Sequence, residues 1–422
     1  MPGVFSRDGQ EGSAKRGFHW AWIILSVCFV NLFLNYGIRL GFGVVLPEMI
    51  SSLGLNRTQA GTIFNIYLAV YICITPLTGN LTDRFGARRV ITLFSILLGI
   101  GTLLMGMVQS FGQACLVFAV AGAGASAMWT PIVTVVQRWF GLRRRGMALG
   151  IVSTGYGLGF AVMGSLFPIL VNAFSWRFCW YLLGASVLVM VPVNGVLLRS
   201  RPEDLQTTPW GERDVLSERQ PMERSTKEGR YGEVLRLARF WTIGVSFLFA
   251  SFPLYMVTTF MVDYAKVELG FSYKQASFLA TIHGLSQVLG VLTIPPLSDR
   301  IGRRLTLVSA HIFIALSVLG MIVSAGSPFA LYWSIAVFGI FYGAIWPLYS
   351  ACGGDYFRKE VMGTTIGAWT PFYGFGAISA LFVAGRIRDV TLSFQPAFYL
   401  AIISALVASF LIMQVKTSPT RA

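Results

Sequence analysis

A charged phrase that occurs twice, once in each half of the chain, most constrains the fold. The first copy runs from Gly79 to Arg89 (GNLTDRFGARR) and the second from Pro295 to Arg304 (PPLSDRIGRR). Their aspartates, Asp83 and Asp299, are 216 residues apart in a chain of 422. Each copy closes a long apolar segment. The sequence therefore predicts two halves of similar plan, a pattern typical of secondary transporters whose binding site lies between the halves.

Composition places both halves in a lipid bilayer. The chain is 55% hydrophobic and 12% charged, with a mean hydropathy of +0.66, which is too apolar for a soluble globular protein. An excess of 33 Lys and Arg over 18 Asp and Glu does not indicate nucleic-acid binding, because these charges fall between apolar spans. The chain has no Walker loop, GxSxG elbow, HExxH motif or CxxC pair, so we expect no ATP drive, no enzymatic activity, no cofactor and no metal.

Twelve apolar stretches are long enough to cross the bilayer as helices, which takes about 20 residues each. We place them at 20–46, 58–82, 89–109, 112–138, 146–173, 177–198, 239–264, 274–298, 304–325, 328–352, 361–386 and 394–415. The fold class predicted is an all-α membrane protein with twelve transmembrane helices in two six-helix pseudo-repeats.

The charged segments between the spans predict the domain plan and the orientation. The predicted parts are an N-terminal tail (1–19), a first six-helix bundle (20–198), a linker (199–238), a second bundle (239–415) and a C-terminal tail (416–422). The side that holds both tails and the linker carries 26 Lys and Arg, against 6 on the other side. Positive charge favours the cytoplasmic side. We therefore expect a multi-pass protein of the cytoplasmic (plasma) membrane with both termini and the linker in the cytoplasm.

The pattern G-x-L-x-D-R-x-G-x-R-R resembles the signature loop of the major facilitator superfamily, and the resemblance covers essentially the whole chain. Two further strings, NYGIRLGFGV at 35–44 and QRWFGLRRRGMALG at 137–150, are similar to the monocarboxylate transporter and oxalate:formate antiporter group. This resemblance implies alternating access and the transport of a small organic anion, by symport with a proton or by antiport against a second anion.

The resemblance also implies a gate on the cytoplasmic side. In the superfamily the loop aspartate, here Asp83, caps a neighbouring helix and pairs with an arginine at the foot of the fourth span, here Arg138. A carboxylate near a helix N-terminus is stabilising. We assign gating to these two residues together with Arg84, Asp299 and Arg300. The alternative is that the loop arginines only anchor the topology.

Arg39 is the candidate for binding the anion. The usual binding arginine of the resembled group stands in the eighth span, where this chain has Val291, with Gln287 one turn earlier in place of a carboxylate. Arg39 is instead an ionisable residue within the first span, where a charge is costly and marks a function by default. Its planar fork suits a carboxylate. The alternative is that Arg39, about seven residues before the predicted span end, extends outward to the membrane surface.

His283 is the second candidate, for anion binding or for carrying the proton, because its unperturbed pKa of about 6.5 allows either state. It lies one helical turn before Gln287, on the same face. The alternative is a hydrogen-bonded packing residue, and His311 is assigned no role. Gln287 and five aromatic residues complete the predicted substrate-binding set: Gln287, Trp129, Tyr67, Tyr71, Trp346 and Tyr373.

The sequence therefore predicts a monomeric carrier of a small organic anion, most simply a monocarboxylate, coupled to a proton or to a counter-anion. Two alternatives remain at this stage. The first is an exporter of amphipathic drugs or metabolites, which the aromatic walls and the missing eighth-span arginine favour. The second is a receptor or scaffold that transports nothing and binds a protein through 199–238.

Overall fold

The computed structural model describes residues 19–141, 144–211, 234–324, 326–357 and 362–415. Within these ranges twelve helices are long and apolar enough to cross a membrane, which confirms the predicted fold class. They are α1 (Trp20–Leu53), α2 (Arg57–Phe85), α3 (Ala87–Met105), α4 (Phe111–Trp139), α5 (Arg145–Ala173), α6 (Trp176–Leu197), α7 (Ala238–Glu268), α8 (Tyr273–Ile301), α9 (Arg303–Val323), α10 (Pro328–Tyr356), α11 (Met362–Thr391) and α12 (Gln395–Gln414).

Helix α1 differs most from its predicted length. It continues past residue 46 to Leu53 and ends at Gly54, whose φ of 64° lets the chain turn in the left-handed region. Arg39 therefore lies well inside the helix, 14 residues before its end rather than seven. The longer helix moves this charge away from the membrane surface.

The internal repeat is visible in the way corresponding helices begin. A capping box formed by Asn56 and Gln59 starts α2, and Ser272 with Gln275 forms the same box at the start of α8. In both boxes a side chain accepts a backbone N–H while the later side chain reaches back to the cap. Each pair is separated by the same 216 residues as the loop aspartates. Local sequence thus sets equivalent helix starts in the two halves.

Helix α4 is interrupted in its middle. The helical hydrogen bonding changes between Ala125 and Thr130, where the backbone makes shorter-range bonds such as Met128 N to Ala125 O at 2.9 Å. The second segment begins at Thr130, and Pro131, its second residue, lacks the N–H that a continuous helix would need there. Trp129 lies at this break, so its ring is placed by an irregular turn.

The beginning of the predicted linker packs on the first half. After a short 3₁₀ helix at Pro202–Leu205, Trp210 pairs with the backbone beside α4 and its ring contacts Trp22 at 5.0 Å between centroids. A short surface helix of this kind is compatible with the polar composition of the linker. Residues 212–233, most of the linker, lie outside the described ranges.

The two halves, α1–α6 and α7–α12, meet along three helix pairs: α1 with α7, α2 with α11, and α5 with α8. We call the side where α1 begins and α12 ends the terminal face, and the other side the opposite face. The candidate site lies between the halves, among these six helices together with α4 and α10.

Candidate functional site

Arg39 lies at the contact between the halves. Its side chain is only 7% exposed, and its Nη2 donates a hydrogen bond to the hydroxyl of Tyr255 on α7. Its Nε has no hydrogen-bond partner in the described part of the chain. The guanidinium therefore does not extend outward to the membrane surface, which was the alternative to a role in binding.

Three tyrosine rings surround the Arg39 guanidinium. The distances from its Cζ to the ring centroids are 5.0 Å for Tyr71 and 5.7 Å for both Tyr36 and Tyr255. Aromatic faces attract a cation by about 0.5–1 kcal/mol at exposed sites and more where water is excluded. The rings thus replace part of the hydration that the charge loses on burial.

No carboxylate neutralises this charge. The ion pairs found among the described residues involve Arg57, Lys266, Arg303 and Arg388, and none of them involves Arg39. A buried charge without a counter-ion is costly. Arg39 therefore offers a net positive centre, with a free Nε, to an anion that enters between the halves.

Aromatic side chains extend from this centre into both halves. On one side Tyr36 contacts Tyr156 at 4.1 Å between centroids, and Tyr156 contacts Trp129 at 5.3 Å. On the other side Tyr255 contacts Tyr373 at 5.6 Å, and Tyr373 contacts Trp346 at 5.1 Å. All of these rings except that of Tyr255 are partly exposed. The predicted wall residues Tyr71, Trp129, Trp346 and Tyr373 are thus brought to one partly open, aromatic cavity.

His283 lies outside the immediate shell of Arg39. It is fully buried, its Nε2 is 3.2 Å from the Thr258 hydroxyl, and the rings of Phe160, Phe338 and Tyr342 pack on it at 4.9–5.4 Å. Its Nδ1 has no partner among the described residues. No hydrogen bond described here joins His283 to Arg39.

Tyr67 and Gln287 are also more buried than a wall residue would be. Tyr67 is fully buried and stacks on Phe118 at 4.7 Å, while Gln287 is 6% exposed. The Tyr67 hydroxyl and the Gln287 Oε1 are both without a hydrogen-bond partner in the described ranges. These two polar atoms, like His283 Nδ1, are buried beside the cavity. They do not lie on its exposed wall.

Tyr255 and Tyr36 are the site residues that sequence reasoning missed. Tyr255 is 216 residues after Arg39, so it holds the equivalent position in the second half. The repeat offset that paired Asp83 with Asp299 would have pointed to it. Tyr36 lies three residues before Arg39, close to one helical turn, and could have been found from helix geometry.

The opposite face is closed by ion pairs between the halves. Arg57 at the start of α2 holds Asp263 of α7 with two hydrogen bonds, Nε to Oδ2 at 3.0 Å and Nη2 to Oδ1 at 3.2 Å. Asp263 is fully buried. Next to this pair, Glu48 of α1 pairs with Lys266 of α7. Four charged side chains thus join three helices across the interface.

A carboxylate from the second half also caps α2. Asp389 of α11 accepts hydrogen bonds from the backbone N–H groups of Arg57 and Thr58, both at 2.8 Å, and from the Thr58 hydroxyl at 2.6 Å. The first N–H groups of a helix have no partner within the helix and carry a partial positive charge. The cap therefore ties the start of α2 to the other half.

Glycines show that α2 and α11 touch from the opposite face to their middle and part toward the terminal face. A Cβ added at Gly61 or Gly385, near the opposite face, would lie 2.7 or 2.6 Å from a backbone oxygen of the other helix, and one at Gly374, in the middle, would lie 2.4 Å from the Ile72 side chain. A Cβ at Gly79 or Gly367, near the terminal face, would meet nothing within 4 Å among the described residues. In each helix the first and last of these glycines are 18 residues apart, which is five turns, and so share a face. The cavity therefore opens toward the terminal face.

The predicted gating residues all lie at this open terminal face. Asp83, Arg84, Asp299 and Arg300 are exposed, and Arg138 is partly buried. No ion pair in the described ranges joins Asp83 to Arg138.

The second copy of the loop is paired within its own half. Asp299 pairs with Arg303, which also contacts Asp355 with 3.1 Å between Nε and Oδ2. At this face no ion pair between the halves is found in the part of the chain that the structure describes.

His311, to which no role was assigned, is buried within the second half. Its Nε2 lies 2.9 Å from the Tyr349 hydroxyl, which in turn lies 2.6 Å from the Ser246 hydroxyl. These contacts join α9, α10 and α7 behind the cavity. The arrangement serves packing within one half.

The described residues form twelve spanning helices in two equivalent halves, which are closed at one face and open at the other around a central charge. These features define the class of polytopic membrane transporters. The chain belongs to the Major Facilitator Superfamily, whose family model matches residues 28–380 and again 243–422. This membership confirms the family that the loop motif indicated. It also confirms that the protein is a transporter rather than an enzyme.

Several known proteins are similar to this chain. Monocarboxylate transporter 12 of Homo sapiens is 26% identical over 421 residues, covering 93% of this chain and 80% of the relative. The probable sulfoacetate transporter SauU of Cupriavidus necator is 24% identical over 282 residues, covering 67% of this chain and 66% of the relative.

Solved structures share the fold. A bacterial homologue of the human lysosomal transporter Spinster in an inward-facing, occupied conformation superposes with a TM-score of 0.71 at 15% identity, covering 94% of this chain and 97% of the other. Its inward-facing, unoccupied form gives 0.69 at 16% identity, covering 96% and 95%.

Proposed function

We propose that the protein moves a small organic anion, a monocarboxylate, across the membrane by alternating access, with both termini in the cytoplasm. The observation that carries this proposal is the buried Arg39 guanidinium, which has aromatic neighbours but no carboxylate partner in the described ranges. In this orientation the open terminal face is the cytoplasmic one, and the structure is an inward-facing state.

The chemistry of the site favours an anion with a small apolar body. Arg39 can hold a carboxylate by two charge-assisted hydrogen bonds. The walls around it are rings, which suit the apolar remainder of a substrate. The names of two relatives, a monocarboxylate transporter and a probable sulfoacetate transporter, refer to organic anions as well.

Coupling to a proton or to a counter-anion completes the proposal. No Asp or Glu contacts Arg39 among the described residues, so a carboxylate relay beside the binding arginine has no support. His283 contacts the partly exposed ring of Tyr342 at 4.9 Å between centroids. We assign the proton to His283 for symport; in exchange, a second anion takes the place of the proton.

Thermal stability of the purified protein tests the substrate class, because a ligand that binds only the folded state raises the melting temperature. The panel contains short monocarboxylates, aromatic carboxylates, short sulfonates, organic cations and neutral amphiphiles. We expect stabilisation by the anions in the wild type and in Arg386→Gln, which removes an exposed arginine of α11, and none in Arg39→Gln.

The opposite pattern contradicts the proposal. Stabilisation by cations or neutral amphiphiles, equal in the wild type and Arg39→Gln, would favour the exporter of amphipathic compounds, which the aromatic walls also suit. Compounds that stabilise the wild type are then tested for gradient-driven uptake into proteoliposomes. Binding without any flux would favour the receptor.

A further inference from the structure

We propose that the hydroxyl of Tyr255 holds the anion-binding position of Arg39 while the transporter is empty, and that the substrate anion displaces it. This inference rests on the proposed function, because it concerns the same arginine. It assigns a role to Tyr255, that of positioning Arg39 in the empty transporter. Neither the internal repeat nor the family resemblance predicts this role.

The position of the hydrogen bond indicates that the Tyr255 hydroxyl and the substrate anion compete for the same part of Arg39. A guanidinium holds a carboxylate along one of two edges, formed by Nε with Nη2 or by Nη1 with Nη2, so that Nη2 takes part in both. The Tyr255 hydroxyl is bound at Nη2. Each of the two Nη2 hydrogens serves one of these edges, and the phenol oxygen takes one of them, so it competes with a carboxylate for one of the N–H groups that a two-bonded carboxylate would use.

Burial supports the same conclusion. Arg39 is 7% exposed and Tyr255 is 4% exposed, so the guanidinium is covered although the cavity beside it is partly open. Tyr71 and Tyr36 cover it from the first half, on α2 and α1. Tyr255 is the residue of the second half whose side chain is hydrogen-bonded to the charge. An entering anion must move a neighbour, and Tyr255 stands where the anion's oxygen belongs.

The exchange is favourable in the direction of binding. The guanidinium is a charged donor in both cases, but a phenol oxygen is a neutral acceptor that takes one bond, whereas a carboxylate carries the opposite charge and can accept two parallel bonds. In the empty state the phenol oxygen accepts a hydrogen bond from the buried guanidinium, which would otherwise make one hydrogen bond fewer. Tyr255 is thus a temporary acceptor that a charged substrate can replace.

The exchange also links binding to the contact between the halves. Arg39 belongs to the first half and Tyr255 to the second, so displacing the phenol breaks a hydrogen bond across the interface. A ligand shifts a conformational equilibrium only through contacts that differ between the states. Loss of this bond is one such difference, made by the substrate itself.

Tyr255→Phe is the direct test, with Tyr264→Phe as the control. Tyr264 lies on the same helix and is also buried, with 1% exposure against 4% for Tyr255, and its hydroxyl has no hydrogen-bond partner in the described ranges. The dissociation constant is measured by calorimetry for the best monocarboxylate of the stability panel. We expect Tyr255→Phe to bind it about 10- to 150-fold more tightly than the wild type, from the net value of one hydrogen bond to a charged group, and Tyr264→Phe to bind it as the wild type does.

Each other result has a defined meaning. Weaker or unchanged binding in Tyr255→Phe overturns the inference, because the hydroxyl would then be a ligand of the substrate or irrelevant to it. Equal tightening in both variants also overturns it, since the effect would then not depend on the hydrogen bond to Arg39. A wild type that binds no anion refutes the proposed function itself, and this outcome is seen before any variant is compared.

A second measurement does not depend on the folding of Tyr255→Phe. A fluorotyrosine is placed at position 255, and in a separate sample at position 36, of the otherwise unchanged protein. Saturating monocarboxylate is expected to shift the fluorine resonance at 255 more than that at 36. No shift at 255 while the anion binds would contradict the displacement.

Discussion

Arg39 and Tyr255, which hydrogen-bond to each other at the centre of the molecule, occupy equivalent positions of the internal repeat. Their separation of 216 residues is that of the loop aspartates Asp83 and Asp299. Equivalent residues of two related halves can touch only where they lie next to the axis that relates the halves. The candidate site is therefore centred on this pseudo-symmetry axis, and the two halves place different chemistry there, a cation and a phenol.

The buried ion pair at the opposite face is expected to stabilise the described conformation. Asp263→Asn removes the charge that holds Arg57, and losing a charge-assisted pair of this kind costs about 1–3 kcal/mol. That value shifts the balance between two conformations about 5- to 150-fold. Spin labels at Ser52 and Thr391, on opposite sides of this interface, should show a longer-distance population in the variant.

The control for this prediction is Glu203→Gln. It removes an exposed carboxylate of the short 3₁₀ helix Pro202–Leu205 that forms no ion pair in the described ranges. We expect its label distances to match those of the wild type. An unchanged distribution in Asp263→Asn would mean that the pair does not determine which face is closed.

Two glycines on the same face of α2 are expected to respond differently to the same substitution. Gly61→Val places side-chain atoms against a backbone oxygen of α11, whereas Gly79→Val meets open space in this conformation. We expect Gly61→Val to lower the melting temperature and Gly79→Val to leave it unchanged. If the halves rock about the site, Gly79→Val should nevertheless reduce transport, because that end of α2 must approach α11 when the terminal face closes. Wild-type flux in Gly79→Val would contradict a close approach there.

The two buried histidines are expected to differ in their effect on coupling. His283 borders the cavity walls through Tyr342, whereas His311 binds Tyr349 within the second half. We expect His283→Gln to lose uptake driven by an inward proton gradient and to keep exchange of labelled for unlabelled substrate. His311→Gln should keep both, with lower stability. Gradient-driven uptake that survives in His283→Gln would show that the proton is carried elsewhere or with the substrate.

A polar network inside the first half is expected to affect stability alone. The amide of Asn194 exchanges hydrogen bonds with Asn31 at 2.7 and 3.0 Å and donates to Ser95 at 3.1 Å. Asn194→Ala leaves the buried Asn31 without these bonds, which costs about 1–3 kcal/mol. The melting temperature should fall while the anion dissociation constant stays the same. A changed dissociation constant would place this network in the binding path.

Much of the architecture could be predicted from sequence, because hydropathy and helix caps are local signals. The twelve spans follow from apolar length, and the starts of α2 and α8 follow from capping boxes written within four residues. Helix ends were less predictable. Helix α1 continues to Leu53, and within this extension Glu48 pairs with Lys266 of the second half, a contact that hydropathy does not reveal.

The sequence by itself determined which residues are candidates, and the tertiary structure decided which of them meet. Arg39 stood out because a charge within a span is costly, and that cost is a property of the residue and the bilayer. The docking of the two halves decides that Tyr255 contacts Arg39, that Arg57 binds Asp263 and that His283 is buried behind the cavity. It aligns residues that are up to 216 positions apart in the chain. Helical periodicity sets the face of a residue on its own helix, but only the packing of the halves sets what that face meets.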